Sequence, residues 1–161
     1  MGTAGRFQAA MSRFFGMAAL LAISFGGRFS SQPGLPASAL PDTVITIRAN
    51  SSTLEFDPPA IAARQGTRLR LRFVNEGTLP HNLVITRDEE DIDSLAAAAS
   101  RAGKDFVPHA LEAKLVAWTP LASPGQTVEV TFVVPPPGVY TYVCLMTGHT
   151  NSMMGTLRSL R

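Results

Sequence analysis

From Thr43 onward the chain reads as short runs in which apolar and polar positions alternate. In Thr43 to Arg48, residues Thr43, Ile45 and Ile47 form the more apolar side and Val44, Thr46 and Arg48 the other. Leu69, Leu71 and Phe73 alternate with Arg68, Arg70 and Arg72. Val128, Val130, Phe132 and Val134 alternate with Thr127, Glu129, Thr131 and Val133. A period of two marks a strand with one buried face. His81 to Thr86, Val139 to Cys144 and Gly155 to Ser159 are further strand candidates, and Gly66, Gly77, Gly125 and the run Pro135 to Gly138 punctuate the series. Short strands divided by such turns predict an all-β sandwich.

One segment has a different period. Asp88 to Gly103 opens with Asp88, Glu89, Glu90 and Asp91, then spaces Ile92, Leu95, Ala96 and Ala99 as one helical face. Arg101 and Gly103 close it. Acids at the start, a base near the end and a terminal glycine predict one inserted α-helix packed across the sandwich.

The N-terminal 39 residues belong to neither pattern. Arg6 and Arg13 precede an uncharged apolar run from Phe14 to Gly27. As a helix that run would reach about 21 Å, short of the roughly 30 Å a bilayer core requires. It fits the apolar region of a signal peptide, with Ala37-Ser38-Ala39 as a small-residue cleavage signal before Leu40. Residues 27–39 are long for a cleavage region, and their Gly, Ser and Pro content also fits a tether on a retained membrane anchor. We therefore divide the chain into residues 1–39, a signal peptide or anchor plus tether, and residues 40–161, one folded domain. No cysteine follows the run, which argues against a lipoprotein, and no twin arginine precedes it. The expected location is exported: periplasmic, or on the outer face of the cytoplasmic membrane.

This division changes the meaning of the charge. The 161-residue chain carries 14 Lys plus Arg and 12 Asp plus Glu, a formal +2. Arg6, Arg13 and Arg28 precede residue 40 while every acid follows it, leaving 11 bases against 12 acids in the domain. The basic excess belongs to the export segment and offers no footprint for a nucleic acid. A single cysteine excludes an intrachain disulfide, a Cys-rich zinc module and an iron–sulfur cluster held by this chain alone.

That cysteine sits at a predicted strand end in Tyr140-Thr-Tyr-Val-Cys144-Leu-Met-Thr-Gly-His149-Thr-Asn-Ser-Met153-Met154-Gly155. His149 follows it at +5 and Met153 at +9, while His81 stands in Thr78-Leu-Pro80-His81-Asn82. One thiolate, two imidazoles and one thioether match the trigonal His2Cys set with a weak axial Met that holds one copper for electron transfer. The mixture is a compromise. Cu(II) favours nitrogen in tetragonal geometry and Cu(I) favours soft sulfur, and this set is acceptable to both, so little moves when an electron arrives.

In these motifs the chain resembles the blue copper proteins, or cupredoxins. Cys144-x4-His149-x3-Met153 followed by Gly155-Thr-Leu looks like the azurin and auracyanin branch, since plastocyanins space Cys and His more closely. Pro80-His81-Asn82-Leu-Val-Ile looks like the family's first-ligand segment. The Asp88–Gly103 helix and the stretch Val116 to Pro124 also resemble that branch. The resemblance spans about residues 43 to 159 and implies a Greek-key β-sandwich of the cupredoxin type.

It also implies roles. His81, Cys144 and His149 would be equatorial ligands and Met153 the axial one, with Met154 as the competing sulfur. One copper per chain would cycle between Cu(I) and Cu(II). The Pro80 carbonyl could approach the metal opposite the Met, and Asn82 would tie the first-His loop to the cysteine loop. His149 would be the electron port, within an apolar patch for which Leu79, Met146 and Met154 are candidates. The implied partners are c-type cytochromes or respiratory or photosynthetic complexes, met by a monomer that binds no nucleic acid and is held to a membrane, if at all, by its N-terminus.

Other residues are read blandly. His109 is a surface or loop residue, Trp118 and Tyr142 are core, and Arg68, Arg70 and Arg72 form a solvated strand face. Val143 and Leu145 flank Cys144 where a multicopper oxidase needs histidines. Three histidines are too few for a second, catalytic copper, and no triad, phosphate loop or paired-acid motif stands out. The expectation is an electron carrier and not an enzyme. The alternative is a copper-binding or delivery protein without redox cycling.

Overall fold

The computed structural model describes residues 43–50 and 53–161. The expected export segment and cleavage signal, residues 1–39, lie outside the described residues. Among the described residues there are nine strands: β1 (Thr43–Ala49), β2 (Phe56–Asp57), β3 (Ala60–Arg64), β4 (Arg68–Asn75), β5 (Val84–Thr86), β6 (Leu115–Trp118), β7 (Thr127–Val133), β8 (Gly138–Val143) and β9 (Met154–Leu160). One sheet has the order β2-β1-β4-β7 and the other β3-β9-β8-β5-β6. β1 runs parallel to β4 with Ile45 opposite Leu71, and β3 runs parallel to β9. The remaining pairs are antiparallel. This is the all-β sandwich that the alternation predicts.

Burial follows the alternation. Ile47, Leu69, Leu71 and Phe73 are fully buried between the sheets with Leu83, Ile85, Tyr142 and Leu157. On the outer side of β4, Arg70 and Arg72 meet Glu129 of β7 at 3.6 and 2.9 Å. The arginine face is therefore solvent-facing but ion-paired, a modest contribution for exposed groups. Tyr142 is core as expected, and its hydroxyl donates to the Pro58 carbonyl at 2.6 Å.

The inserted helix is shorter than its sequence pattern. Asp88 is extended, Glu89–Asp91 form a 3-10 turn, and the α-helix proper, α1, spans Ile92–Ala99. Its predicted apolar face does pack: Ile92, Leu95 and Ala99 join Val84, Leu115, Val143 and Leu145 in a second cluster, with Ala96 half-buried against it. That cluster lies on the face of the second sheet away from the main core. Trp118 is half-buried against the same cluster, so it is a packing residue but not part of the central core.

Candidate metal centre

Three loops at one end of the sandwich bring the site together. The predicted strand from His81 begins as a regular ladder only at Val84. His81 instead makes an isolated bridge to Ala122, with its N–H donating at 3.0 Å and its carbonyl accepting at 2.8 Å. Cys144 stands one residue beyond β8, and its N–H donates to the Met153 carbonyl at 3.0 Å. Within that loop the N–H of His149 donates to Met146, and those of Ser152 and Met153 both donate to the His149 carbonyl. These bonds close residues 144–153 into a tight ring.

The side chains converge. Cys144 Sγ lies 3.8 Å from His81 Nδ1 and 3.6 Å from His149 Nδ1, and the two nitrogens are 3.2 Å apart. His81, Cys144 and His149 are all buried, and among the described residues they form the one such group of three or more that could hold a metal ion. Each contact alone is within hydrogen-bond reach, but each Nδ1 has a single in-plane donor or acceptor direction and cannot serve both the sulfur and the other Nδ1. A ligand triangle explains the arrangement better. From these three edges the point equidistant from the atoms lies about 2.1 Å from each, the length of ordinary bonds from a first-row metal to nitrogen and only slightly short of those to sulfur.

Electrostatics point the same way. Burial, then the neighbouring His149, pushes His81 down to about 4, and burial lowers His149 as well. Both imidazoles are thus neutral with a lone pair for a metal. Burial pushes the Cys144 thiol up, opposed by backbone N–H groups of Met146 and Asn82. Those N–H groups aim at the sulfur where a metal-bound thiolate would carry charge, and metal binding would release the thiol proton.

Met153 is fully buried in the main core with Cys144. Met154 starts β9 on the opposite face, against the outer cluster that holds α1. The two adjacent methionines are therefore divided by the period of the strand. Of the apolar-patch candidates, Leu79 is 48% exposed and Met146 is half-buried against the main core, whereas Met154 packs toward the helix. Pro80 is half-buried in the turn before His81.

Asn82 does tie the two loops. Its Oδ1 accepts the Leu145 N–H at 2.9 Å, and its Nδ2 donates to the carbonyls of Asp105 and Phe106 at 3.0 and 3.1 Å. Sequence reasoning missed Asn75, a buried residue that orders the loop before His81. Its Nδ2 donates to the Leu79 and Ala122 carbonyls at 2.8 and 2.9 Å, and its Oδ1 accepts the Gly77 N–H at 2.9 Å. Gly77 must be small there: a Cβ would sit 3.1 Å from Asn75 Oδ1 and 3.2 Å from His81 Nε2. The available signal was a polar residue in the inward register of β4, two positions after Phe73. His109 is exposed and outside the ligand triangle, as expected.

The model of the copper binding proteins of the plastocyanin/azurin family matches residues 43–158. The chain belongs to that family. Among curated relatives, auracyanin-A of Chloroflexus aurantiacus is 32% identical over 145 residues, covering 88% of this chain and 89% of that protein. Auracyanin-B of the same organism is 33% identical over 122 residues, and there the match covers 73% of this chain but only about half, 52%, of the relative. The solved structure of auracyanin A, described as a "blue" copper protein, superposes with a TM-score of 0.70 at 31% identity, covering 73% of this chain and 98% of that one. This cupredoxin is a blue copper protein of the azurin and auracyanin branch, its sandwich is the cupredoxin Greek key, and its cofactor is copper.

Proposed function

We propose that this chain is an exported, mononuclear type 1 copper protein that carries single electrons between extracytoplasmic redox partners and catalyses no reaction of its own. The observation that carries the reading is the buried triangle of His81 Nδ1, Cys144 Sγ and His149 Nδ1, with Met153 in the same core. In this reading those three residues are the equatorial ligands and Met153 the axial one. Copper supplies the one-electron couple. The chain's own part is to hold a mixed nitrogen and sulfur set in one geometry for both oxidation states. The closed hydrogen-bonded ring of residues 144–153 supports that rigidity.

His149 serves as the electron port. It is 7% exposed, against 2% for His81 and 0% for Cys144, and Leu79 stands exposed at the same end. An apolar contact there favours small, short-lived encounters of the kind redox partners make. Partners such as c-type cytochromes or respiratory or photosynthetic complexes fit this chemistry, as does a location in the periplasm or on the outer face of the cytoplasmic membrane. Residues 1–39 would provide the export signal or the tether, and residues 40–161 the copper domain. A delivery protein would need exchangeable, exposed ligands, whereas these are buried.

The test is a copper titration of the domain followed by visible absorption and EPR. An intense thiolate-to-copper charge-transfer band with narrow copper hyperfine splitting is expected, and Cys144→Ala should abolish it. Colourless binding, or a band that survives the substitution, overturns the reading.

A further inference from the structure

A charged cluster beside the site has no part in the ligand set. His109 Nε2 lies 2.8 Å from Asp105 Oδ2, and its Nδ1 lies 3.0 Å from Glu112 Oε1. Both ring nitrogens face carboxylate oxygens, which only accept. A neutral imidazole has one N–H, so only the imidazolium donates to both. Asp105 and then Glu112 also raise the pKa of His109. From neighbouring elements, Arg101 after α1 lines the same hollow as His109. Trp118 of β6 meets the ring edge-on at 5.9 Å and is uncharged, and Lys114 is occupied by Asp91.

The same segment holds Asn82. Asp105 Oδ1 accepts the Val107 N–H at 3.2 Å while Oδ2 holds His109, so one carboxylate closes the turn and anchors the ring. Inside that turn Phe106 has φ 54°, a left-handed conformation uncommon for a non-glycine residue. The turn aims the carbonyls of Asp105 and Phe106 at Asn82 Nδ2. Asn82 then fixes the N–H of Leu145, the residue after Cys144.

We propose that His109 is a protonation-linked positioning residue for the copper site, its imidazolium clasping Asp105 and Glu112 and its state passing through the 105–106 carbonyls to Asn82 and the cysteine loop. The redox consequence rests on the copper-carrier reading; the clasp itself does not. When His109 gives its proton to solvent, one of the two clasps is lost and the Asp105–His109–Glu112 cluster becomes one charge more negative. Added negative charge favours Cu(II), and a slackened Asn82 weakens the N–H groups aimed at the sulfur. Both effects lower the reduction potential as pH rises, and by linkage reduction must raise the His109 pKa.

Two measurements decide. In the metal-free protein, NMR should show His109 titrating above the ordinary histidine value, with the Asn82 side-chain amide and the Leu145 N–H shifting at the same midpoint. His81 and His149, held below that value, titrate separately. Static Asn82 and Leu145 resonances through the His109 midpoint overturn the proposal. In the copper-loaded protein the reduction potential should fall through that midpoint, His109→Gln should remove that component, and Glu112→Gln should move it to lower pH. A blue His109→Gln protein with the wild-type pH profile overturns the clasp and leaves the carrier reading standing. A colourless wild-type protein overturns the carrier reading, and the NMR titration still judges the clasp.

Discussion

Asn82 and Leu145 are joined by a 2.9 Å hydrogen bond across 63 positions of the sequence, from the Leu145 N–H to Asn82 Oδ1. This bond, with the two from Asn82 Nδ2, makes one buried side chain the junction of the first-His loop, the cysteine loop and the 105–106 turn. Asn82→Leu would strand a buried N–H and two carbonyls. The expected loss of stability is about 1–3 kcal/mol in urea unfolding of the metal-free domain. A blue site should still form, with faster copper loss to a chelator. An unchanged midpoint would show that the junction carries no load.

The face-to-face division of Met153 and Met154 gives opposite expectations for neighbours of identical chemistry. Met153→Leu keeps the volume of a fully buried residue but removes its sulfur, so copper should stay bound while the reduction potential shifts. Met154→Leu alters only packing against the outer cluster and should leave the potential unchanged. Protein-film voltammetry of both variants separates them. A shift confined to Met154→Leu would reverse the axial assignment.

The parts of the fold legible in the sequence are those with one buried and one solvated face. β4 and β7 show that contrast and their observed burial repeats it, whereas in β1 the burial alternates only from Ile47 to Ala49. β3 has the sequence AIAAR, where alanine on both faces conceals the alternation, and β2 is too short to have a period. Residues 81–86 are buried on both sides, so nothing in their pattern distinguishes the bridge at His81 from the strand at Val84. The acids 88–91 look like a first helical turn, whereas Asp88 is extended and Glu89–Asp91 form a 3-10 entry, so α1 starts only at Ile92. Cys144, His149 and Met153 were legible because they share one short loop. The roles of Asn75 and of the Asp105–His109–Glu112 cluster depend on contacts made by folding, although the polarity of Asn75 in an apolar register was a usable signal.

Gly155 follows Met154 in a position that Tyr142 makes exclusive. A Cβ there would lie 2.2 Å from the Tyr142 ring, which is fully buried and tethered through its hydroxyl to Pro58. The ring cannot swing out without breaking that bond and opening the core. Gly155→Ala should therefore cost about 3 kcal/mol, the upper end for overpacking. Pairing it with Tyr142→Leu should recover part of the Gly155→Ala loss, since the obstruction is removed. Purely additive losses in a double-mutant cycle would show that the ring is not the obstacle.

The His109 clasp also makes stability depend on pH, with a sign that follows from its partners. His109 is raised above its ordinary 6.5 by hydrogen bonds to Asp105 and Glu112, so its contribution is fully present below 6.5 and is lost as pH rises through the folded value. Asp105 is lowered from 3.8, first by the His109 hydrogen bond, so its contribution is present above 3.8 and is lost as pH falls through its folded value. The clasp is thus complete between those limits. Metal-free His81 and His149, both lowered, lose stability on the acid side, and the raised Cys144 and Tyr142 lose theirs only above their ordinary 9.0 and 10.0, so the decline that starts at 6.5 belongs to His109. Thermal unfolding of the metal-free domain should therefore show a melting temperature that declines above pH 6.5 in the wild type. In His109→Gln the part of that decline below pH 9.0 should be absent, while the acid limb remains. A decline between pH 6.5 and 9.0 that survives the substitution would assign it to another group and remove His109 from the account.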